Sequence, residues 1–324
     1  TPFVRGLEDP PLNPERLLFL DAETTGLGRG AGTYAFLIGL GSFVGGEFCI
    51  RQYFMPDYDS ESALLELVAE ELAAHDGLAS FNGWTFDWPI LQTRFLLARR
   101  PLPCSGEPHL DLLPLSRRLW RRMLPSCALA SLEAGVLAVE REEQDVPSYL
   151  IPALYQDYVR LGRTRPIARI FYHNLLDLLS MVTLTARAGA LLANPQAERA
   201  RPFCDDLALG RMYESLGHHE EAIAAYRRAG QEAHRSLSFL LKRLGRYEEA
   251  MDIWRAQLGG REIYPYVELA KQYEHRLHDL EKARDMVIQA LQRLEAHTAG
   301  DDARARRREL EHRLARLTRR LEMD

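Results

Sequence analysis

The feature that most constrains this chain is a run of four large apolar residues at 17–20 that leads directly into Asp21 and Glu23. A short, bounded apolar run is typical of a buried central strand, since a helix would need a longer pattern. Side chains alternate faces along a strand, so Asp21 and Glu23 are predicted to project to the same side. Two such carboxylates raise each other's pKa and are costly to desolvate, so the pattern predicts a divalent cation. The alternative is that both acids lie past the strand end and face water.

A third acid, Asp87, occurs within the segment 82–91, which reads NGWTFDWPIL. Pro89 favours a first helical turn, and the apolar pattern continues to Leu97, so Asp87 is predicted where a loop meets a helix. A carboxylate at that junction can point back towards the sheet. The alternative is an ordinary helix-capping aspartate among core aromatic side chains.

A fourth acid, Asp177, follows His173 by four residues in the segment 171–177, which reads FYHNLLD. This segment opens a helical pattern that continues to about Leu192, and residues four apart share a helix face. Tyr172 would share that face with Asp177 only if it lay in the loop before the helix. Taken alone, a histidine near an aspartate is more often structural than catalytic.

Together these three segments resemble the DEDD superfamily of 3′→5′ exonucleases, which have the ribonuclease H-like fold. The resemblance is to the group that carries tetratricopeptide repeats behind the nuclease domain. A strand-borne D-x-E followed by T-T-G-L is matched from Asp21, the second motif is matched at 82–91, and the last acid is matched by Asp177. The family places a Tyr four residues, or a His five residues, before the last Asp, and this chain has the reverse order. The H-N-x-x-D motif of the repeat-bearing group favours His173 over Tyr172.

The resemblance implies that four carboxylates hold two divalent cations, Mg²⁺ or Mn²⁺, because hard oxygen ligands favour these ions over zinc. The ligands implied are Asp21, Glu23, Asp87 and Asp177. His173 is implied as the general base for the attacking water, since histidine side chains titrate near neutral pH. The residues implied to contact the substrate are Thr24, Thr25, Gly26, Leu27, Asn82, Trp84, Phe86, Tyr172 and Asn174.

Beyond a polar, proline-flanked linker at 194–202, three segments repeat one pattern: 217–226, 245–254 and 278–287. The second interval is close to the tetratricopeptide period of about 34 residues and the first is shorter, so the pattern predicts paired helices in a short solenoid. A leucine stripe then predicts a capping helix. The predicted fold is therefore an α/β ribonuclease H-like exonuclease domain with a mixed central sheet at 1–196, followed by an all-α tetratricopeptide-like domain at 197–324.

Composition limits the cellular location expected of this protein and the way in which it can bind a polyanion. A net charge of −5 argues against a uniformly basic nucleic-acid binder, so phosphate contacts must come from local patches. The segment from Arg94 to Arg122 contains seven arginines and only two acids, and forms a first arginine patch. A second patch comprises Arg160, Arg163, Arg165 and Arg169. No C-x-x-C pair occurs and no run of about 18 apolar residues was found, so a cytoplasmic protein without a membrane span is expected.

The combined prediction is a metal-dependent 3′→5′ exonuclease that acts on single-stranded 3′ ends, with DNA favoured over RNA as the nucleic-acid partner. The helical repeats are predicted to offer a surface to a protein partner. Two alternatives are a catalytically inactive scaffold that binds nucleic acid and protein, and an exonuclease of RNA. Structure-specific endonuclease action is a lesser alternative.

Overall fold

A computed structural model of the chain describes residues 4–5, 13–26, 28, 30–141, 145–198, 204–297 and 301–323. The chain divides into two compact units, Thr1–Gly217 and His218–Asp324. Leu27 and much of the predicted linker lie outside the described residues. The domain boundary predicted at 196/197 falls inside the first unit and stays a prediction.

The first unit contains a mixed sheet of five strands, extended at one edge by a sixth of two residues. The strands are β1 (Val4–Arg5), β2 (Leu17–Thr24), β3 (Ala35–Val44), β4 (Glu47–Phe54), β5 (Gly77–Ser80) and β6 (His109–Asp111). Their order is β1-β6-β5-β2-β3-β4, with β2, β5 and β6 parallel and the remaining pairs antiparallel. Strands β3 and β4 form a β-hairpin.

The apolar run at 17–20 lies at the centre of the sheet, where all four of its side chains are buried. This confirms the predicted central strand. The pairing of β2 with β3 shifts register between Glu23 and Thr24, at the end of β2. The two acids are therefore delivered at the carboxyl end of a strand that is paired on both sides.

The helices of the first unit pack on this sheet and on one another. They are α1 (Glu61–Ala73), α2 (Asp87–Leu97), α3 (Leu112–Trp120), α4 (Leu129–Leu132), α5 (Ile151–Leu161), α6 (Arg165–Ala193), α7 (Pro195–Glu198) and α8 (Asp206–Ser215). A π-helical turn at Glu133–Leu137 and 3₁₀ turns at Pro14–Arg16, Tyr58–Ser60 and Ser148–Leu150 complete the unit's described helical segments.

Helix α6 begins six residues earlier than the helical pattern predicted. It opens at Arg165 with Pro166 in its first turn, and its added turns bury Ile167 and Ile170 in the main core. Tyr172 therefore lies inside the helix, where a residue five before Asp177 does not share its face. His173, four before Asp177, does.

Helix α6 bears on the expectation that the protein has no membrane span. Among the described residues, this one helix is long and apolar enough to cross a membrane, judged by length and composition alone. It packs against β2, β3 and β4 and buries His173 and Asn174. The same length and composition are found in core helices, and we treat α6 as one.

Arg94, counted in the first arginine patch, does not face solvent. Its side chain is only 5% exposed, forms two hydrogen bonds with the carboxylate of Glu61 at 2.5 and 2.7 Å, and lies over the ring of Tyr34. The predicted phosphate contact is therefore wrong for this residue, because its guanidinium fixes α2 to α1.

The second unit is all-helical over its described residues. Its helices are α9 (His219–Ala229), α10 (His234–Arg243), α11 (Tyr247–Ala256), α12 (Tyr264–His275), α13 (Leu280–His297) and α14 (Asp301–Leu321), with a 3₁₀ turn at Gly230–Ala233. Leu310 and Leu317 of α14 are buried in one cluster with Val287 and Leu294 of α13. This is the leucine stripe predicted for the capping helix.

Candidate active site

The structure gathers the four predicted acids from three elements into one cluster. Asp21 and Glu23 lie near the end of β2, Asp87 is the first residue of α2, and Asp177 lies in the middle of α6. Burial raises the pKa of Asp21 well above its usual value, and the charges of Asp177, Glu23 and Asp87 raise it further. Such effects act between neighbouring carboxyl groups, and Asp21 and Asp177 line the same cavity.

The same causes act on the other three acids. Burial, followed by the charges of Asp177 and Asp87, raises the pKa of Glu23 to about 8. Burial raises the pKa of Asp87 to about 7, although hydrogen bonds with its own backbone and that of Ala22 oppose the shift. Burial also raises the pKa of Asp177, against the nearby charges of His173 and Arg141. The cluster therefore favours protons or another positive charge at neutral pH.

The donor set fits the cations that the sequence predicted, because all four groups are hard carboxylate oxygens. Their coordination geometry is not formed: among the described side chains, no group of three or more His, Cys, Asp or Glu is arranged to hold a metal ion. Asp177 instead accepts a hydrogen bond from Arg141. The chemistry and location of the acids fit Mg²⁺ or Mn²⁺, and two-cation binding remains a proposal.

Asn174 holds Asp21 in place, and its amide occupies the space that a side chain at Gly39 would fill. Asn174 Nδ2 donates to Asp21 Oδ2 at 2.7 Å, and its Oδ1 accepts from Gln52 Nε2 at 2.8 Å. Gly39 pairs with Asp21 on one side and with Gln52 on the other, and a Cβ at this glycine would overlap the Asn174 amide. Asn174 is 0% exposed, so this geometry gives it a positioning role in place of the predicted contact with substrate.

A fifth acid, Asp111, fixes the loop that precedes Asp87. Its Oδ1 accepts hydrogen bonds from the backbone N–H of Asn82 at 2.8 Å and of Leu113 at 3.1 Å, so it joins the loop to the start of α3. Asn82 has a left-handed φ of 64°, a conformation that asparagine tolerates better than most residues. This turn lets α2 begin at Asp87 with its carboxyl group directed at the end of β2.

His173 lies within a buried hydrogen-bond network. In the tautomer with the proton on Nδ1, this nitrogen donates to Asp145 Oδ1 at 2.7 Å. The other nitrogen, Nε2, lies 3.2 Å from Ser148 Oγ and 3.6 Å from Asp177 Oδ2. A carboxylate on Nδ1 leaves Nε2 as the proton acceptor beside the acid cluster.

Arg141, Glu133 and Asp145 belong to the site but were missed from the sequence. Arg141 Nε and Nη2 donate to the carboxylate of Glu133, each at 2.6 Å, while Nη1 lies 3.0 Å from Asp145 and from Nδ1 of His173. Burial opposes the charged form of Arg141, but these carboxylates raise its pKa. The only sequence signal is the spacing of four between Arg141 and Asp145, which lies outside any predicted element.

The remaining predicted contacts surround the cluster. Thr24 Oγ1 donates to the Gly26 carbonyl at 2.7 Å, and Thr25 Oγ1 accepts from the backbone of Tyr34 at 3.0 Å, so both hydroxyls brace the loop after β2. Trp84 and Phe86 are partly buried against the main core. Tyr172 is also partly buried, on a different face of α6 from Asp177.

A cavity of about 450 Å³ opens onto the acids. Asp21 and Asp177 line it, together with Asn82, Arg117 and the buried Cys127. We call this cavity the acid cleft. This lining suits a phosphate ester, because the arginine can attract the negative charge that the carboxylates would repel.

A carboxylate cluster at the end of the central strand of a mixed sheet, closed by a long helix, is the arrangement of a nuclease-type domain. The family model for the RNase H superfamily matches residues 18–188, which is more than half of the chain. The chain therefore belongs to the RNase H superfamily.

Two further comparisons extend this assignment. A tetratricopeptide repeat model matches residues 207–229, which comprise all of α9 and all but the first residue of α8. The chain is 30% identical over 291 residues to the uncharacterized protein YprB of Bacillus subtilis (strain 168), covering 86% of this chain and 70% of that protein. The similarity to YprB thus extends beyond the nuclease-type domain.

Proposed function

We propose that this protein is a 3′→5′ exonuclease that hydrolyses phosphodiester bonds of single-stranded nucleic acid, with DNA favoured over RNA. The observation that carries the proposal is the convergence of Asp21, Glu23, Asp87 and Asp177, with Nε2 of His173 directed at Asp177. Two divalent cations held by these acids would neutralise the attacking and leaving oxygens of the phosphoryl group.

The protein's own residues have separate tasks in this reaction. Asn174 fixes the carboxylate of Asp21, and Asp111 fixes the loop that presents Asp87. His173 accepts the proton of the attacking water at Nε2, while Asp145 holds the ring through Nδ1. Burial of the acids keeps bulk water from screening the charges that the reaction develops.

The resemblance to the DEDD exonucleases supports the 3′→5′ direction through the motif at 21–27, the motif at 82–91 and the H-N-x-x-D motif that ends at Asp177. The decisive test is hydrolysis of matched DNA and RNA single strands with Mn²⁺, each labelled at the 5′ or the 3′ end. A 5′-labelled ladder that shortens from the 3′ end is expected. Asp87→Ala should abolish this activity, and substantial activity in that variant would contradict the assignment.

A second candidate, a scaffold that binds nucleic acid without hydrolysis, is favoured by one observation. Arg141 donates a hydrogen bond to Asp177, so a guanidinium already offsets the charge of one of the four acids. The same assay separates the candidates, because a scaffold would bind single strands but leave them intact at every Mn²⁺ concentration.

The repeat region supports a further part of the proposal. Tetratricopeptide arrays present extended surfaces to partners, and a repeat model matches residues 207–229. We assign the helical repeats, which begin at about residue 207 and continue through the second unit, to binding a protein partner. Co-purification tests this role, since a chain lacking residues 218–324 should lose any partner that the full chain retains.

A further inference from the structure

A second cavity of the first unit is lined almost entirely by arginine. It has a volume of about 340 Å³ between α3 and α8. We call it the arginine pocket, and its charged lining residues are Arg117, Arg118, Arg121, Arg122 and Arg211. Two apolar residues of α8 complete the lining.

The sequence explains why these side chains gather. The segment 112–128 contains four arginines and no acid. Their spacing places them along one side of α3 and its following turn, while Leu115, Leu119 and Trp120 are buried on the other. Like charges at such spacings destabilise a helix, and a bound anion would remove that cost. Asp205 lies 3.5 Å from Arg122 and offsets part of its charge.

The arginine pocket adjoins the acid cleft. Arg117 lines both cavities, so its side chain lies at their common boundary. Cys127 of the acid cleft provides a second link: burial raises the pKa of its thiol, and the charges of Arg117 and Arg121 act against that rise. The positive charge therefore extends to the edge of the acidic site.

We propose that the arginine pocket binds phosphates of the single strand whose 3′ end lies in the acid cleft, along a path from Arg117 to Arg121 and Arg211. This inference rests on the proposed exonuclease function. Guanidinium groups suit this task, because each can donate two parallel hydrogen bonds to one phosphate. The phosphodiester backbone is common to DNA and RNA, so the pocket itself does not discriminate between them.

The test measures how salt weakens the binding of a single strand to the full chain in EDTA. Fluorescence anisotropy with labelled DNA and RNA strands of about 30 nucleotides gives the slope of log K against log salt. The variant is R121Q/R211Q, which removes two exposed charges from the pocket. The matched control is R163Q/R165Q, which removes two exposed charges from the second arginine patch. A charge-preserving variant, R121K/R211K, separates loss of charge from damage to the fold.

Loss of two phosphate contacts should flatten the slope by about 1.4, since each contact contributes about 0.7 on a single strand. R121K/R211K should keep a slope close to that of the parent protein, and R163Q/R165Q should change it by less than half as much as R121Q/R211Q. Equal flattening in both glutamine variants, flattening in R163Q/R165Q alone, or no change in R121Q/R211Q would overturn the proposal.

The outcome also separates this inference from the proposed function. If the parent protein hydrolyses neither strand with Mn²⁺ but the slopes differ as expected, the exonuclease assignment fails and the arginine pocket stands. If hydrolysis is observed but the slopes do not differ, only the pocket fails. A parent protein that binds neither strand overturns the pocket as a nucleic-acid site.

Discussion

Nδ1 of His173 lies 2.7 Å from the carboxylate of Asp145, a residue in a stretch that forms neither helix nor strand. Burial acts to raise the pKa of Asp145, but hydrogen bonds with His173 and Arg141 hold it below its usual value. Asp145 therefore remains an anion and can fix the ring, although Arg141 approaches the same imidazole nitrogen. This relationship makes Asp145 a positioning residue for the proposed base.

Replacing Asp145 with Asn should lower kcat by roughly 10- to 100-fold, the range found when a hydrogen-bond partner that orients an active-site side chain is lost. The reason is that the amide no longer stabilises a proton on Nδ1, while the substrate contacts remain. KM should change little, and this split between kcat and KM distinguishes positioning from unfolding. Asp157→Asn is the control, because Asp157 is half-exposed and pairs with the exposed Arg163. An unchanged kcat in D145N would exclude the role.

The base itself is tested by ranking two neighbours on α6. His173→Ala should lower kcat by roughly 100- to 10,000-fold, the range for removal of a general base. Tyr172→Phe should cost much less, because Tyr172 does not share a helix face with Asp177. Single-turnover hydrolysis measures both variants. The reverse ranking would transfer the base role to Tyr172.

The close packing of Asn174 over Gly39 predicts a large effect from one methyl group. Gly39→Ala should lower the free energy of unfolding by about 1–3 kcal/mol, the usual cost of overpacking a filled core. It should also reduce activity, because the displaced Asn174 no longer holds Asp21. Gly189→Ala in α6 is the matched control, since its new methyl group meets open space. Urea denaturation of both variants tests this, and equal stability in the two would contradict the packing argument.

Arg141 is predicted to stabilise the fold through Glu133. The Glu133 side chain is 2% exposed, so Arg141→Gln should leave a buried charge without its ion pair and cost about 3–5 kcal/mol. Arg163→Gln, in an exposed pair, should cost about 1 kcal/mol or less. The double variant E133Q/R141Q should recover part of the loss, because the charge is removed with its partner. Additive effects in that double-mutant cycle would show that the two residues do not interact.

The raised carboxyl pKa values predict a pH dependence of the metal-free protein. Glu23 has a pKa of about 8 and Asp87 a pKa of about 7 when folded, against ordinary unfolded values of about 4.3 and 3.9. Between about pH 4 and about pH 8, the folded state therefore holds more protons than the unfolded state. The contribution of these two acids to the free energy of unfolding is full below about pH 4 and is lost as the pH rises to about 8.

The measurement is Tm in EDTA across this range, where Glu23→Gln should flatten the decline. Mn²⁺ binds the deprotonated carboxylates, so it should raise Tm most at about pH 8. A Tm in EDTA that rises from about pH 5 to about pH 8 would contradict this arrangement of acids.

The sequence by itself determined the elements that carry the acids and the repeat architecture. The run at 17–20 predicted a buried strand, and the leucine stripe of α14 predicted a capping helix. These features depend on local periodicity, which the chain displays directly. The spacing of His173 and Asp177 likewise fixed their common face once both lay in a helix.

Only the tertiary structure decided which distant side chains meet those acids. Arg141, Asp145 and Glu133 reach the site from irregular or π-helical segments, where no periodic pattern predicts the direction of a side chain. Arg94 had the sequence context of a phosphate-binding arginine, yet the packing of α1 against α2 gave it Glu61 as a partner. The close approach of Asn174 to Gly39 likewise joins residues far apart in the chain. Such contacts arise when packed elements bring charges and hydrogen-bonding groups together, and the local sequence of each element carries no record of its partner.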